Sequence, residues 1–246
     1  MISSPIPLPL GGILQAKIPS NLYKRILSEC VDKRDTSVPV NNTLAGHIEN
    51  EYEVKDDIIQ YQTRDFVNKL IREYYVDYGY SEPRVDESPI HTPALDIWSK
   101  TENPRVSYDT FMGEDKRGYV KRWKQQRLWI NYMKKHEFNP PHTHTGTFSI
   151  VMFIKIPFDI EDEEKVFPPT NTERILNYNG TFGVTACNYF GQINDYRLHI
   201  DRTWEGTMLL FPANMRHSVH PFYSSDEERI TMSSNYVLDR VKYGLL

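Results

Sequence analysis

Cysteine is nearly absent: the chain has two, Cys30 and Cys187, in 246 residues. Two thiols cannot build a disulfide framework or a four-thiolate zinc cage, and they fit a reducing compartment. Long apolar runs are missing too. The longest, Ile150 to Ile154, stops at Lys155, far short of a membrane span. There is no excess of basic charge: 29 Lys and Arg against 33 Asp and Glu leave −4, with no global field to attract nucleic acid. Met1 to Gly12 carries no basic side chain and is broken by Pro5, Pro7, Pro9 and Gly11-Gly12. It does not read as a signal peptide, so a cytoplasmic location is expected. No internal repeat and no low-complexity tract is visible. With 39% hydrophobic and 25% charged residues the composition is that of a globular protein and argues against disorder. The length suits one large domain or two small ones.

The two halves differ in texture. SNLYKRILSECVDK places Leu22, Ile26 and Leu27 at helical spacing, with Ser20 as cap. KDDIIQYQTRDFVNKLIREYY sets Ile59, Phe66, Leu70 and Tyr74 on one helical face, and Asp56 and Asp57 stand where a helix N-terminus favours negative charge. Asp35 to Gly46 and Glu87 to Pro104 read as loops. From Arg127 the pattern turns to short strands: RLWINYM, FSIVMFIKI, GTFGVTACNYF, YRLHIDRTW, GTMLLF and ERITMSSNYV, separated by Gly, Pro, Asn or Asp. The acidic stretch Asp159 to Glu164 reads as a surface insertion between two of them, and Cys187 as a small core residue. The expected chain is mainly β with N-terminal helices. A helical and loop segment, 1–126, packs on a sandwich or barrel of residues 127–246.

Six of the eight histidines lie between His136 and His220. His142 and His144 form a His-x-His within NPPHTHTG, and residues two apart in extended chain face the same way, so both imidazoles can reach one cation. A third ligand must come from elsewhere. His217 is the natural one, because it follows the buried strand GTMLLFP and its turn. Twelve residues later comes Arg229, and on a strand Arg229, Thr231, Ser233 and Asn235 share one face while Ile230 and Met232 share the other. A guanidinium with a hydroxyl two residues on is a clamp for a carboxylate. Each piece alone has a plainer reading: polar loop histidines near a proline turn, and an exposed arginine paired with Glu227 or Glu228.

In this order the pieces resemble the iron(II)/2-oxoglutarate-dependent dioxygenase superfamily. The carriers are LWINYMKKHEFNPPHTHTGTFSIVMFI, GTMLLFPANMRHSVHPF and ERITMSSN, over Arg127 to Asn235, and the whole is closest to oxygenases encoded by tailed phages. The N-terminal LAGHIENEY also looks phage-like, with no chemistry attached to it. The resemblance implies a double-stranded β-helix, or jelly roll, holding Fe(II) on His142, His144 and His217. It implies that Arg229 and Thr231 bind the distal carboxylate of 2-oxoglutarate, and that O₂ is used to hydroxylate a small molecule or peptide. Asn131, on LWINY with Trp129 and Met133 on its face, is a further candidate for holding the co-substrate, or else an ordinary strand-edge residue. A phage protein of this kind would act in the host cytoplasm, with no membrane or nucleic-acid partner indicated.

The departure is His144, where the superfamily carries Asp or Glu. A literal His-x-Asp occurs at His199-Ile200-Asp201, but His217 and His220 then follow too closely for a distal ligand of a jelly roll. His220 reads as a loop or supporting group, and the Asn179-Gly180-Thr181 sequon as a tight turn. Two other functions stay open. One is a cupin-like three-histidine metalloenzyme that needs no 2-oxoglutarate. The other is a non-catalytic jelly-roll module, for sugar binding or as a virion component.

Overall fold

The computed structural model describes residues 3–6, 12–32, 38–40, 46–78, 114–115, 119–166, 178–188 and 190–242. In chain order these form β1 (Ser3–Ile6), β2 (Ile13–Lys17), α1 (Ser20–Asp32), β3 (Val38–Pro39), β4 (Asn50–Glu53), α2 (Asp57–Asp77) and β5 (Glu114–Asp115). There follow β6 (Tyr119–Met133), β7 (Asn139–His142), β8 (Phe148–Lys155), α3 (Ile160–Val166), β9 (Phe182–Cys187), β10 (Ile193–Leu198), β11 (Thr207–Pro212), β12 (Arg216–Val219) and β13 (Arg229–Lys242). The Glu87–Pro104 loop lies outside the described residues.

Among these residues nine strands make one sheet in the order β1-β2-β11-β8-β13-β6-β4-β3, with β5 beside β6, and four make a second, β10-β9-β12-β7. Every pairing is antiparallel. The N-terminal strands are part of the large sheet, since β2 pairs β11 and β4 pairs β6. Strand β6 runs through position 126, where the texture of the sequence changes.

The alternation of side chains builds three layers. On β8, Phe148, Ile150, Met152 and Ile154 join Leu22, Ile26, Ile59, Phe66, Leu70 and Tyr74 of the two long helices in one core. Val151 and Phe153 of β8 point the other way and meet Phe182 and Val184 of the small sheet, with Leu209 and Phe211 of β11. Strand β8 is apolar from Ile150 to Ile154 because both its faces are covered. Each large side chain so buried contributes about 1.5–3 kcal/mol. Helix α2 opens as its sequence requires: Asp56 accepts from the backbone amides of Ile58 and Ile59 at 3.0 and 2.9 Å, and Asp57 supplies negative charge to the first turn.

Three expectations are corrected. The acidic stretch after Asp159 does fall between β8 and β9 with Glu161 and Glu164 exposed, but it is a helix and not wholly on the surface. Its Glu163 is fully buried and accepts from the amides of Tyr223 and Ser224 and from the Ser224 hydroxyl, which ties down the loop entering β13. Cys187 ends β9 exposed, not in the core. The strand expected over YRLHIDRTW stops at Leu198, because Asp201 accepts from the Thr203 amide and starts a 3-10 turn over Arg202–Trp204. Part of the Asp35–Gly46 segment also pairs with β4, as β3. Among the described residues no helix is long and apolar enough to cross a membrane.

Candidate metal centre

Strands β12 and β7 are neighbours in the small sheet, with His217 directly opposite His142. His144 stands two residues beyond the end of β7. It is held there because its amide donates to the Ala213 carbonyl at 2.8 Å, while Thr147 donates to the Tyr236 carbonyl at 2.7 Å. Gly146 makes this bend possible. Its φ is +121°, and a Cβ there would lie 2.9 Å from the Tyr236 carbonyl oxygen. The result brings one nitrogen of each of His142, His144 and His217 within 4.8 Å of the others.

Two of the rings are oriented by the backbone. His142 Nδ1 lies 2.7 Å from the Pro140 carbonyl, and His217 Nδ1 lies 2.9 Å from that of Met215. A carbonyl only accepts, so each Nδ1 carries the proton and each Nε2 presents a lone pair. Burial, and then the neighbouring imidazoles, push His144 down to about 4 and His217 to about 3. Burial lowers His142 as well. All three are therefore neutral near pH 7, the form that ligates a metal. Phe182 stacks on the His217 ring at 5.4 Å and Phe211 meets it edge-on at 4.9 Å, which fixes the ring and dries the site. The cluster contains no carboxylate among the described residues.

The histidines line a cavity of about 320 Å³ between the two sheets. The opposite wall is the large sheet, which contributes Glu51, Asn131, Arg229 and Thr231. Arg229 is 1% exposed. Among the described residues its one hydrogen bond is a long one, 3.4 Å from Nη1 to the Gly180 carbonyl, and its Nε has no partner. No carboxylate among the described residues pairs with it, since Glu227 goes to Lys155 at 2.6 Å instead. Burial lowers its pKa only to about 10, so the guanidinium stays charged. Beside it Asn131 Nδ2 donates to Thr231 Oγ1 at 3.1 Å, and Asn131 Oδ1 is buried without a partner.

All six residues expected at the site thus line one cavity. Ser233 and Asn235 share the Arg229 face, as the strand period requires, and Ile230 and Met232 lie in the core behind it. His199 is exposed beyond β10, and Asp201 serves the 3-10 turn, so the rival His-x-Asp is no ligand pair. His220 sits outside the cavity lining, 3.2 Å from the Ser218 hydroxyl. Gly180 forms a turn with φ +66°. Sequence reasoning missed Glu51. The one local hint was the alternation in HIENEYEV, which marks a strand but not what its faces meet.

Residues 127–235 match the model of the family described as "Putative 2OG-Fe(II) oxygenase". That span holds the three histidines, Asn131, Arg229 and Thr231, and leaves out Glu51. No curated protein matches the chain. Among solved structures, a prolyl-4-hydroxylase from Pseudomonas putida is similar with a TM-score of 0.48 and 10% identity, covering 92% of each chain. A prolyl hydroxylase of Trichoplax adhaerens, solved with a hypoxia-inducible-factor peptide, gives 0.47 and 8% over 92% of this chain and 83% of that one. A 2OG-Fe(II) oxygenase family oxidoreductase from Burkholderia pseudomallei gives 0.33 and 19% over 58% and 55%.

Proposed function

We propose that the protein is an iron(II)- and 2-oxoglutarate-dependent oxygenase on a double-stranded β-helix, coupling decarboxylation of 2-oxoglutarate to hydroxylation of a small molecule or peptide. The observation that carries this reading is Arg229, a buried, charged and unpaired guanidinium in the same cavity as three convergent neutral imidazoles. A buried charge without a partner costs several kcal/mol, so its retention asks for an anion that the described residues do not supply. A dicarboxylate with one end on Arg229 and the other toward the histidines meets that demand.

The donor set fits the group. Imidazole suits iron(II), and the two Nδ1 tethers aim the Nε2 lone pairs of His142 and His217. Arg229 offers a two-pronged donor to the distal carboxylate. Asn131 gives its own proton to Thr231 Oγ1, which leaves the threonine hydroxyl hydrogen free for that carboxylate. Asn131 is in this way a positioning residue. Iron(II) with 2-oxoglutarate supplies O₂ activation and the oxidising equivalents for C–H hydroxylation. If the chain is phage-encoded, as its sequence suggests, the enzyme would act in the host cytoplasm.

Three histidines without a carboxylate leave the centre one unit more positive than the two-histidine, one-carboxylate pattern. That feature favours a second reading, a cupin-like enzyme with no 2-oxoglutarate. An anaerobic visible-absorbance titration tests both, adding iron(II) and then 2-oxoglutarate to metal-free protein, with Arg229→Ala beside it. A weak charge-transfer band that needs both additions and vanishes in the mutant is the expected result. Iron binding without a band selects the second reading, and no iron binding overturns both. In parallel, unchanged iron affinity in His144→Ala would remove His144 from the ligand set.

A further inference from the structure

One side chain of the cavity has no part in that reading. Glu51 is 3% exposed, on β4, directly opposite Asn131 of β6, which is in turn opposite Thr231 of β13. The row Glu51, Asn131, Thr231 crosses the large sheet on its cavity face. Among the described residues Glu51 is the single acidic one lining the cavity, and there only its backbone carbonyl, not its carboxylate, takes a hydrogen bond. The neighbouring acid, Glu137, is engaged elsewhere: its carboxylate accepts from the amides of Glu49 and Lys134. Next to Glu51, Asn131 Oδ1 is a second buried acceptor with no donor, on a residue 7% exposed.

A carboxyl and a buried, unpartnered amide oxygen side by side in a cavity suit a ligand that brings donors and positive charge. Neither iron nor 2-oxoglutarate does so at this wall. Two of the three candidate metal ligands belong to the small sheet opposite and the third follows directly on its strand β7, while the co-substrate carboxylate would be repelled by Glu51. Burial, with Glu137 second, pushes the Glu51 carboxyl up to about 7, and a cation beside it would reverse that. Resting on the oxygenase reading, we propose that Glu51, with Asn131 Oδ1, is the specificity determinant for a cationic substrate group, an ammonium or guanidinium. The substrate would lie across the cavity, its charged end on the large sheet and its reacting carbon toward the histidines.

Isothermal titration calorimetry of the full chain tests this with blocked tripeptides Gly-X-Gly, where X is arginine, lysine, citrulline or glutamate. Free arginine and lysine are run beside them to separate a peptide from a small-molecule source. Citrulline matches arginine in shape without its charge. The expected result is a preference for the cationic probe over citrulline of about ten-fold or more, as a charge-assisted hydrogen bond implies. Glu51→Gln should abolish the preference and Glu51→Asp should keep it. Equal binding of arginine and citrulline, no binding of any cationic probe, or an unchanged preference in Glu51→Gln would overturn the proposal. So would a fall in iron(II) affinity in Glu51→Gln with the preference intact, which would assign the carboxylate to the metal. Binding can be read without iron, while the charge-transfer band of the wild type reports separately on the oxygenase reading.

Discussion

The two faces of β13 are equally buried and chemically opposite. On one face Ile230, Met232 and Tyr236 close against the helices, and on the other Arg229, Thr231, Ser233 and Asn235 front the cavity. The first is apolar packing apart from Tyr236, whose hydroxyl is buried without a hydrogen-bond partner among the described residues. The second holds an unpaired charge at Arg229 and, on the adjacent strand, an unpaired acceptor at Asn131. Burial alone therefore says little about purpose. What marks the second face as a site is that its unpartnered groups, a charge among them, front a cavity, whereas the Tyr236 hydroxyl lies in packed core.

Substitutions on either side of the strand should break the comparison in opposite ways. The largest effect is expected of Arg229→Met. Truncating one side of a buried charge pair should weaken 2-oxoglutarate binding by roughly 30-fold to several thousand-fold. The metal-free protein should hold or gain stability, since an unpaired buried charge has been replaced by an apolar side chain. Calorimetry and a urea melt check the two halves. Across the strand, Met232→Ala should do the reverse, costing about 2–5 kcal/mol in the urea melt with little direct effect on the carboxylate clamp.

A pH series sharpens the contrast. Glu51 titrates near 7 in the folded chain against an ordinary value of about 4.5, mainly from burial. The unfolded chain thus releases this proton first, and stability should fall as pH rises from about 4.5 through 7, by up to about 3 kcal/mol at pH 8. Glu51→Gln should flatten that part of the melting curve, and an equal slope in mutant and wild type would refute it. The smallest effect is expected far from the cavity. Asp56→Ala should cost about 1 kcal/mol through loss of the α2 cap, with no change in ligand binding.

Much of the site was legible because it is local. Arg229-x-Thr231 and the Trp129, Asn131, Met133 face follow from the two-residue period of a strand, which needs no knowledge of neighbours, whereas His144 lies past the end of β7 and is placed by its contact with Ala213. The α2 face was legible for the same reason at the helical period. Apart from the local 3-10 turn started by Asp201, the failures concern what lies across from a segment. Glu163 looked like solvated charge until the loop at Tyr223 was brought onto it. Cys187 looked apolar enough for a core but falls at the outer end of a hairpin. Glu51 sits 80 residues from Asn131 in a stretch whose chemistry depends entirely on the pairing of β4 with β6.

The amino-acid order by itself determined the strand and helix periods, the three histidines and the Arg-x-Thr pair, since these rest on backbone geometry and residue chemistry. Only the tertiary structure decided that the small sheet sets His217 opposite His142, that Arg229 is sealed away from every acid described, and that Glu51 joins the cavity. Pairing between strands far apart in sequence sets these, because each is a matter of which groups are left to share a space from which most water is excluded.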